Sequence, residues 1–272
     1  MRDKVSSAIH LKDVSFAYSE RQVLNRINLK IGRGEFVALF GPIACGKTTL
    51  LMTINGLIPH AVNGRFEGSV QLMGLDTQRS AMRELAQRAG FLFQDPDSQI
   101  FSLTVKDEVE FALKNFGFRE TDRKKRVQEA LAKLSIEHLY DADPNELSQG
   151  QKQKVALASI LAYDPDVLLL DEPAASLDHK SAEEVYDAVE ELNEQGKTVV
   201  VVEHDSELIA EKADRLLVMR NGRIELDGEP NVIFAKGIER YGLKEPCFSR
   251  IAREAGIKVR DEKELVRKLR SK

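Results

Sequence analysis

Hydrophobic residues near the start of the chain fall into three short β-prone stretches, at positions 9–16, 23–31 and 35–40, with turn residues between them. Short strands joined by tight turns predict an antiparallel, β-rich flap that leads into the third strand. Positions 65–74 show another strand and turn, and positions 89–93 predict a short buried strand. The first third of the chain is therefore expected to be largely β-structure.

The middle of the chain changes to a helical pattern from about residue 105 to about residue 162, which predicts an all-helical insertion. Regular alternation of strands and helices then returns. Residues 167–170 form a continuous apolar run, typical of a parallel strand that is covered on both faces. A helix over residues 179–194, closed by Gly196, precedes a strand over residues 198–202.

The last part of the chain divides into two regions. Strands are predicted at residues 215–219 and 223–226, on either side of an Asn-Gly hairpin signal. Beyond about residue 230 the apolar density falls and charge dominates. We therefore predict an α/β fold, with a main domain over residues 1–229 that contains the helical insertion and a small helical appendage over residues 230–272.

Composition removes several classes of protein. Of 272 residues, 42% are hydrophobic and 31% are charged, and a net charge of −4 gives no reason to expect a nucleic-acid partner. No apolar run approaches the roughly 20 residues that span a bilayer, and the polar start is unlike a secretory signal, so another chain is expected to make any membrane crossing. The two cysteines, Cys45 and Cys247, indicate neither a disulfide framework nor a zinc site, which favours a cytoplasmic protein.

The strongest chemical signal is an eight-residue match to G-x-x-x-x-G-K-[ST], the loop that binds the phosphates of ATP or GTP: Gly41, Pro42, Ile43, Ala44, Cys45, Gly46, Lys47 and Thr48. A β-prone run precedes it, and a run that can begin a helix follows from Thr49. Unpaired N–H groups and the helix dipole favour a polyphosphate there. Lys47 would reach the β- and γ-phosphates, and the Thr48 hydroxyl would ligate Mg²⁺. The plain alternative is a glycine-rich turn with a chance lysine, which the flanking strand and helix disfavour.

Cys45 lies inside this loop. A helix N-terminus is expected to lower the pKa of its thiol and to raise its reactivity. A small residue that fills a position in the loop explains the same feature without any redox role.

Two carboxylates follow the apolar run that ends at residue 170. Asp171, at the carboxyl edge of a strand in a parallel sheet, can hold Mg²⁺ through water beside the phosphate loop. Glu172 points elsewhere and can polarise an attacking water as a general base. An acidic turn at the end of a strand, followed by Pro173, is the structural alternative, and the phosphate loop upstream makes it less favoured.

Ser148 is a good helix N-cap, and the backbone N–H groups behind it form a second anion site. One nucleotide does not need two such helix ends. The surplus suggests that the second site binds a nucleotide held by another subunit, although Ser148 by itself is more simply an ordinary cap.

These features, taken together, resemble the ATP-binding-cassette (ABC) ATPases from about residue 9 to residue 226. The order is typical of that family. It consists of a stacking aromatic (Tyr18), the phosphate loop (residues 41–48), a glutamine after a short strand (Gln94), a signature segment (residues 147–151), the acidic pair (Asp171 and Glu172), a dimer-contacting segment (residues 176–178) and a switch histidine (His204). Read alone, Tyr18, Gln94 and His204 would pass for ordinary core, turn and loop residues.

The resemblance implies a head-to-tail dimer in which Ser148 and Gly150 contact the ATP on the partner's loop. It also implies that His204 contacts the γ-phosphate and that Gln94 ligates Mg²⁺ and links this site to a membrane partner. The family usually has glycine at the positions of Ala44 and Gln149. If the first position needs a positive φ, alanine costs on the order of 1 kcal/mol there and weakens ATP affinity modestly.

Residues 56–60, 64–68 and 93–101 are similar to those of importers of the energy-coupling-factor class, which take up vitamins or transition-metal ions. This resemblance implies a homodimer, or a heterodimer with a paralogous ATPase, on integral membrane subunits at the cytoplasmic face of the cell membrane. The alternatives are a soluble ABC ATPase in cofactor assembly and the ATPase of another ABC transporter class. A chromosome-maintenance or translation cassette would need a long coiled-coil insertion, a second cassette or a basic surface, and the sequence shows none of them.

The segment after Gln94 is rich in turn residues and then presents Ile100 and Phe101 without a periodic helix to bury them. Both are expected to be exposed in an apolar groove for a partner helix. The alternative is that both pack under the helical insertion.

Overall fold

Two β-sheets and a set of helices make up the computed structural model, which describes residues 7–236, 238–241, 244–257, 259 and 262–270. The strands are β1 (Ile9–Tyr18), β2 (Arg21–Ile31), β3 (Phe36–Phe40), β4 (Arg65–Leu72), β5 (Leu75–Asp76), β6 (Ala89–Leu92), β7 (Val167–Asp171), β8 (Thr198–Val202), β9 (Arg215–Arg220) and β10 (Arg223–Gly228). The helices are α1 (Lys47–Ile54), α2 (Leu57–His60), α3 (Met82–Arg88), α4 (Val105–Phe116), α5 (Glu120–Lys133), α6 (Gln149–Leu161), α7 (His179–Glu194), α8 (Ser206–Ala210), α9 (Pro230–Phe234), α10 (Cys247–Glu254) and α11 (Glu262–Arg270).

The larger sheet has the strand order β10-β9-β3-β8-β7-β6, with parallel pairing from β9 to β6. Its central strands are apolar throughout because alternate residues enter two different cores. On β3, Phe36 and Phe40 face a core built with α4, α6 and α7. Val37 and Leu39 face the second core, which contains α1 and the smaller sheet. This arrangement confirms the predicted α/β class. The strand predicted at residues 167–170 is β7, and it is covered on both faces, because Leu168 and Leu170 enter the first core and Val167 and Leu169 enter the second.

The smaller sheet is antiparallel and has the order β2-β1-β4-β5. Leu11 pairs with Leu29 on one side and with Val70 on the other, and all three side chains enter the second core. The flap predicted from the first two β-prone stretches is therefore present. It packs on the same face of the larger sheet as α1, the helix that follows the phosphate loop.

The helical block spans α4, α5 and α6, with short 3₁₀ turns between the last two. Its apolar faces pack together in the core that covers the far face of the larger sheet. The block starts at Thr104, whose hydroxyl accepts a hydrogen bond from the Asp107 N–H group as a helix cap. The helical pattern predicted for about residues 105–162 is present in this segment.

The C-terminal helices lie against α8, the short helix that follows His204. The Ser206 hydroxyl donates to the Lys244 carbonyl at 2.7 Å, and the Glu207 carboxylate accepts from the Cys247 N–H at 2.7 Å. Phe248 joins the same apolar core as Ile209 of α8. The helical character of this segment agrees with the sequence, and the domain boundary at residue 229 stays a prediction.

Candidate active site

The phosphate loop joins β3 to α1 through glycines that other residues could not replace without a shift. A Cβ on Gly41 would lie 2.3 Å from the Met219 carbonyl oxygen and 2.8 Å from the Cys45 sulfur. A Cβ on Gly46 would lie 2.9 Å from the Val23 carbonyl oxygen. The two glycines therefore let the backbone pack closely against β9 and β2, which sets the loop under the flap.

Ala44 stands in the left-handed region with φ of +62°. The glycine usual in the family would be unstrained there, whereas alanine carries a cost on the order of 1 kcal/mol. Position 44 therefore does need a positive φ, as the expected modest loss of ATP affinity requires. The loss itself stays a prediction.

Lys47 is buried to 7% exposure, and its ammonium group donates to the Gly41 carbonyl at 2.8 Å and to the Pro42 carbonyl at 3.1 Å. A buried cation needs hydrogen-bond acceptors that compensate for its lost hydration. Two neutral carbonyls stabilise the charge of the ammonium group less than an anion would. The lysine is thus oriented within the loop as the positive centre of a site suited to phosphate.

A cavity of about 670 Å³ opens over this loop. Ten of the residues predicted to take part in the site line it: Tyr18, Ile43, Ala44, Gly46, Lys47, Thr48, Thr49, Gln94, Glu172 and His204. Arg21 and Val23 line it as well and were not anticipated from the sequence. The sequence did offer one indication. Arg21 and Val23 follow the turn after Tyr18, and residues on the two strands of a hairpin can line the same cavity.

Glu172 lies between two polar side chains from different parts of the chain. The Gln94 amide donates to Glu172 Oε2 at 2.7 Å, and His204 Nε2 lies 2.9 Å from Glu172 Oε1. Glu172 itself has a φ of +51° and its N–H group donates to the Val202 carbonyl at 3.0 Å. The turn after β7 therefore aims the carboxylate across the end of β8 and into the cavity.

Asp171 is the buried partner of this carboxylate, at 2% exposure. Burial raises the pKa of its carboxyl group, and the charge of Glu172 raises it further, while a hydrogen bond with Thr48 and the charges of Lys47 and His204 oppose the shift. Strand β8 lies between β3 and β7, yet the Asp171 and Thr48 side chains still meet below the cavity. A carboxylate and a hydroxyl in contact are oxygen ligands of the kind that Mg²⁺ prefers, so these residues fit that ion.

Ser148 and Gly150 belong to the described chain but lie outside the lining of this cavity. The Ser148 hydroxyl accepts from the Gln151 N–H at 3.3 Å, and the Gln151 side chain accepts from the Ser148 N–H at 3.0 Å, which completes a capping box. A Cβ on Gly150 would lie 3.2 Å from the Ser176 carbonyl. The start of α6 thus packs beside the segment 176–178, apart from the phosphate loop of the same chain.

The expectation for Cys45 was wrong. Its side chain is buried at 7% exposure, and burial raises the pKa of the thiol more than Lys47 and the backbone lower it. The sulfur points under the loop, toward Gly41, and away from the cavity lining. Cys45 can contribute its backbone to phosphate binding, whereas its thiol fills space.

Gln149 has a role that the sequence did not reveal. Its amide donates to Asp97 at 2.5 Å, and the Lys152 ammonium group donates to the other oxygen of the same carboxylate at 2.6 Å. Asp97 follows Gln94 by three residues. The side chain that replaces the usual glycine therefore joins the segment after Gln94 to the first turn of α6.

Residues 100 and 101 were expected either to be exposed in a groove or to pack under the helical insertion, and the structure shows one outcome for each residue. Phe101 is 63% exposed and makes an edge contact with Phe111, which is itself 43% exposed. Leu103, two residues after Phe101 in the chain, is 81% exposed. Ile100 is half-buried and packs against the core under the helical block, so its expected exposure was wrong. We call Phe101, Leu103 and Phe111 the apolar patch.

A protein-family model described as ABC transporter matches residues 24–175. This chain belongs to the ABC transporter ATPase family. As an ABC ATPase it binds and hydrolyses ATP. Among its curated relatives, the energy-coupling factor transporter ATP-binding protein EcfA2 of Methanospirillum hungatei is 40% identical over 251 residues, which cover 90% of this chain and 62% of the relative.

Two solved structures share the fold of this ABC ATPase. The first, cbiO1 from Clostridium perfringens, is described as part of the ABC transporter complex cbiONQ; it is 33% identical with a TM-score of 0.74, over 91% of this chain and 99% of its own. The second is a dimeric ATP-binding cassette in a post-hydrolysis state with ADP and Pi; it is 33% identical with a TM-score of 0.73, over 82% of this chain and 98% of its own. Within the described ranges, no helix of this ABC ATPase has the length and apolarity to cross a bilayer.

Proposed function

We propose that this chain is the ATP-hydrolysing subunit of an importer of the energy-coupling-factor class that takes up a vitamin or a transition-metal ion. The observation that carries the proposal is the meeting of Lys47, Gln94, Glu172 and His204 in one cavity over the phosphate loop. The importer class is supported by the relative named as an energy-coupling factor ATP-binding protein and by the similar structure described as part of a transporter complex.

In the proposed mechanism the loop N–H groups and Lys47 bind the β- and γ-phosphates of ATP, and Tyr18 stacks on the base. The Lys47 ammonium exchanges its two carbonyl partners for phosphate oxygens, which are stronger acceptors because they are charged. Mg²⁺, held by Thr48, Asp171 and Gln94, would neutralise charge on the phosphates when bound.

Glu172 accepts a proton from the water that attacks the γ-phosphate. Its two neighbours support this role: Gln94 and His204 hold the carboxylate at the edge of the cavity, where it faces the loop. His204 then contacts the γ-phosphate through its imidazole. Gln94 and His204 each contact a different oxygen of Glu172, and each oxygen can accept a further hydrogen bond, so a water can bind the carboxylate beside them.

We propose that two copies, or this chain and a paralogue, pair head to tail with two composite sites. The support is that Ser148 and Gly150 form a helix-start anion site that lies outside the chain's own ATP cavity. The dimeric cassette with ADP and Pi, similar to this chain, supports the same assembly. Each ATP would then be closed by the partner's α6.

The proposed membrane partner docks on the apolar patch at the cytoplasmic face of the cell membrane. Three large apolar side chains are exposed there, two of them in ring contact, and the segment that carries Phe101 and Leu103 begins directly after Gln94. An exposed cluster of this kind fits a helix of a membrane subunit. Asp97 joins the same segment to α6, so movement of the docked helix would reach both Gln94 and the signature segment.

Affinity purification from native membranes tests the proposal. The wild-type chain should retain a polytopic membrane protein, and Phe101→Asp should lose it while still binding ATP. Val232→Asp, which changes an apolar residue of α9 that is 50% exposed, serves as the control and should retain the partner. Normal retention by Phe101→Asp would contradict docking at the patch. Absence of any membrane protein with the wild-type chain would favour the second candidate, a soluble ABC ATPase in cofactor assembly.

A further inference from the structure

A buried carboxylate lies beside the switch histidine. Glu203 follows the last residue of β8 and precedes His204, and its exposure is 5%. Its carboxylate accepts a hydrogen bond from the Tyr186 hydroxyl on one oxygen and from the His204 N–H, at 3.1 Å, on the other. The Asp205 N–H also donates to it. One side chain thus holds the backbone at the start of the loop that carries His204.

Tyr186 supplies the other half of the arrangement. It lies on α7, is fully buried and sits among apolar residues of the large core. A carboxylate placed in such surroundings is unfavourable unless hydrogen bonds satisfy it. The Glu203 carboxylate meets that requirement through the Tyr186 hydroxyl and through the loop backbone. Tyr186 of α7 therefore fixes the position of the carboxylate, and the carboxylate in turn fixes the backbone of His204.

The His204 imidazole lies at the edge of the cavity and is partly open to solvent. Its side chain is 42% exposed, and its Nε2 atom lies 2.9 Å from Glu172 Oε1. The direction of an exposed ring depends on where its backbone is held. The four residues therefore form a continuous series of contacts, from Tyr186 to Glu203, to the His204 backbone, and through the imidazole to Glu172.

We propose that Glu203 is a positioning residue for ATP hydrolysis: its carboxylate, oriented by the Tyr186 hydroxyl, holds the His204 backbone so that the imidazole stays in the cavity beside Glu172, where the proposed mechanism brings it to the γ-phosphate. This inference rests on the proposed roles of His204 and Glu172. Glu203 and Tyr186 lie outside the lining of the cavity, so their effect is on hydrolysis and not on ATP affinity.

The test compares Tyr186→Phe with Tyr163→Phe. Both changes remove one hydroxyl from a largely buried ring, but Tyr163 packs on Phe116 beside the edge strand β6. Tyr186→Phe should lower kcat about tenfold through misplacement of His204, with KM for ATP within about twofold of wild type. Tyr163→Phe should leave both unchanged. A Tyr186→Phe protein with wild-type kcat overturns the proposal.

A spectroscopic arm separates this inference from the proposed function. The chain has five histidines, so selective ¹⁵N-histidine labelling gives few amide signals, and His204→Gln assigns the one of interest. Glu203→Gln, which keeps the shape of the side chain, and Tyr186→Phe should both move the His204 amide signal, while Tyr163→Phe should not. An unmoved signal in Glu203→Gln refutes positioning even if the enzyme is active. A moved signal in a chain with no ATPase activity would instead uphold positioning and contradict the proposed function.

Discussion

The Gln94 amide nitrogen lies 2.7 Å from Glu172 Oε2, although 78 residues separate the two along the chain. Gln94 follows β6 and Glu172 follows β7, and these strands are parallel neighbours at one end of the larger sheet. The pairing brings the segment that leads to the apolar patch against the proposed general base. A movement of that segment would therefore displace the hydrogen-bonded carboxylate of Glu172, the proposed general base.

Glu172→Gln keeps the size of the side chain and removes its ability to accept a proton. ATP should still bind, while hydrolysis should fall by about 10²-fold or more. Nucleotide binding and phosphate release, measured on the same preparation, separate the two effects. Glu183→Gln, on the exposed surface of α7, is the control and should hydrolyse ATP like wild type. Turnover close to wild type in Glu172→Gln would contradict the general-base role.

The composite sites can be tested by mixing two inactive variants. Ser148→Arg blocks the contribution to the partner's site, and Lys47→Ala disables the chain's own loop. A mixed dimer retains one complete site, so phosphate release should reappear on mixing and should follow the fraction of mixed dimers. If mixed dimers are shown to form and remain inactive, hydrolysis at one composite site alone is ruled out.

Thiol labelling should distinguish the two cysteines. Burial raises the pKa of Cys45, whereas Cys247 is exposed and its thiol pKa is raised by a hydrogen bond with Glu207. Since both thiol pKa values are raised, exposure should decide the labelling rate. Cys247, the remaining cysteine in Cys45→Ala, should react quickly, and Cys45, the remaining cysteine in Cys247→Ser, should react slowly. MgATP should slow the second rate further by holding the loop closed and should leave the first unchanged. Rapid labelling of Cys45 without nucleotide would show that the loop opens readily.

Asp171 predicts a pH dependence of stability without metal. Because burial raises its pKa in the folded chain, its contribution is fully present below the unfolded pKa of about 3.9 and is lost as the pH rises through the folded pKa. Asp171→Asn should therefore gain stability relative to wild type as the pH rises over this window. Chemical denaturation in a chelating buffer at several pH values measures it.

Asp178 provides the opposite sign as a control. Hydrogen bonds from Ser181 lower the pKa of this helix-capping carboxylate. Its contribution is present above the unfolded pKa and is lost as the pH falls, so Asp178→Asn should lose stability relative to wild type as the pH rises. A rising difference from wild type for Asp178→Asn would contradict its assignment, and a falling or flat one for Asp171→Asn would contradict that of Asp171.

Ser206→Ala should loosen the C-terminal helices from α8. The hydroxyl is buried and donates to the Lys244 carbonyl, so its removal leaves that acceptor unpaired at a cost of about 1 kcal/mol. Hydrogen exchange of residues 244–257 should accelerate, with the rest of the chain unchanged. Ser159→Ala removes a hydroxyl bonded only within α6 and should leave those residues as protected as in wild type.

Local features could be predicted from the sequence because their physical causes are local. The helix His179–Glu194 and the strand Thr198–Val202 lie where periodicity and β-branched residues place them. The phosphate loop is predictable for the same reason: its spacing, its glycines and its lysine act within eight residues, and a strand and a helix must flank them. The Asn-Gly hairpin also forms as predicted, since both residues adopt positive φ.

Only the tertiary structure decided which distant residues meet. Strand order places β7 between β8 and β6, which brings Glu172 together with His204 and Gln94, and no periodicity specifies that order. Packing decided the burial of Cys45, and burial reversed the expected direction of its pKa. Packing likewise placed Tyr186 on Glu203 and Gln149 on Asp97. Hydrogen bonds and desolvation depend on neighbours in space, whereas a sequence pattern reports only neighbours along the chain.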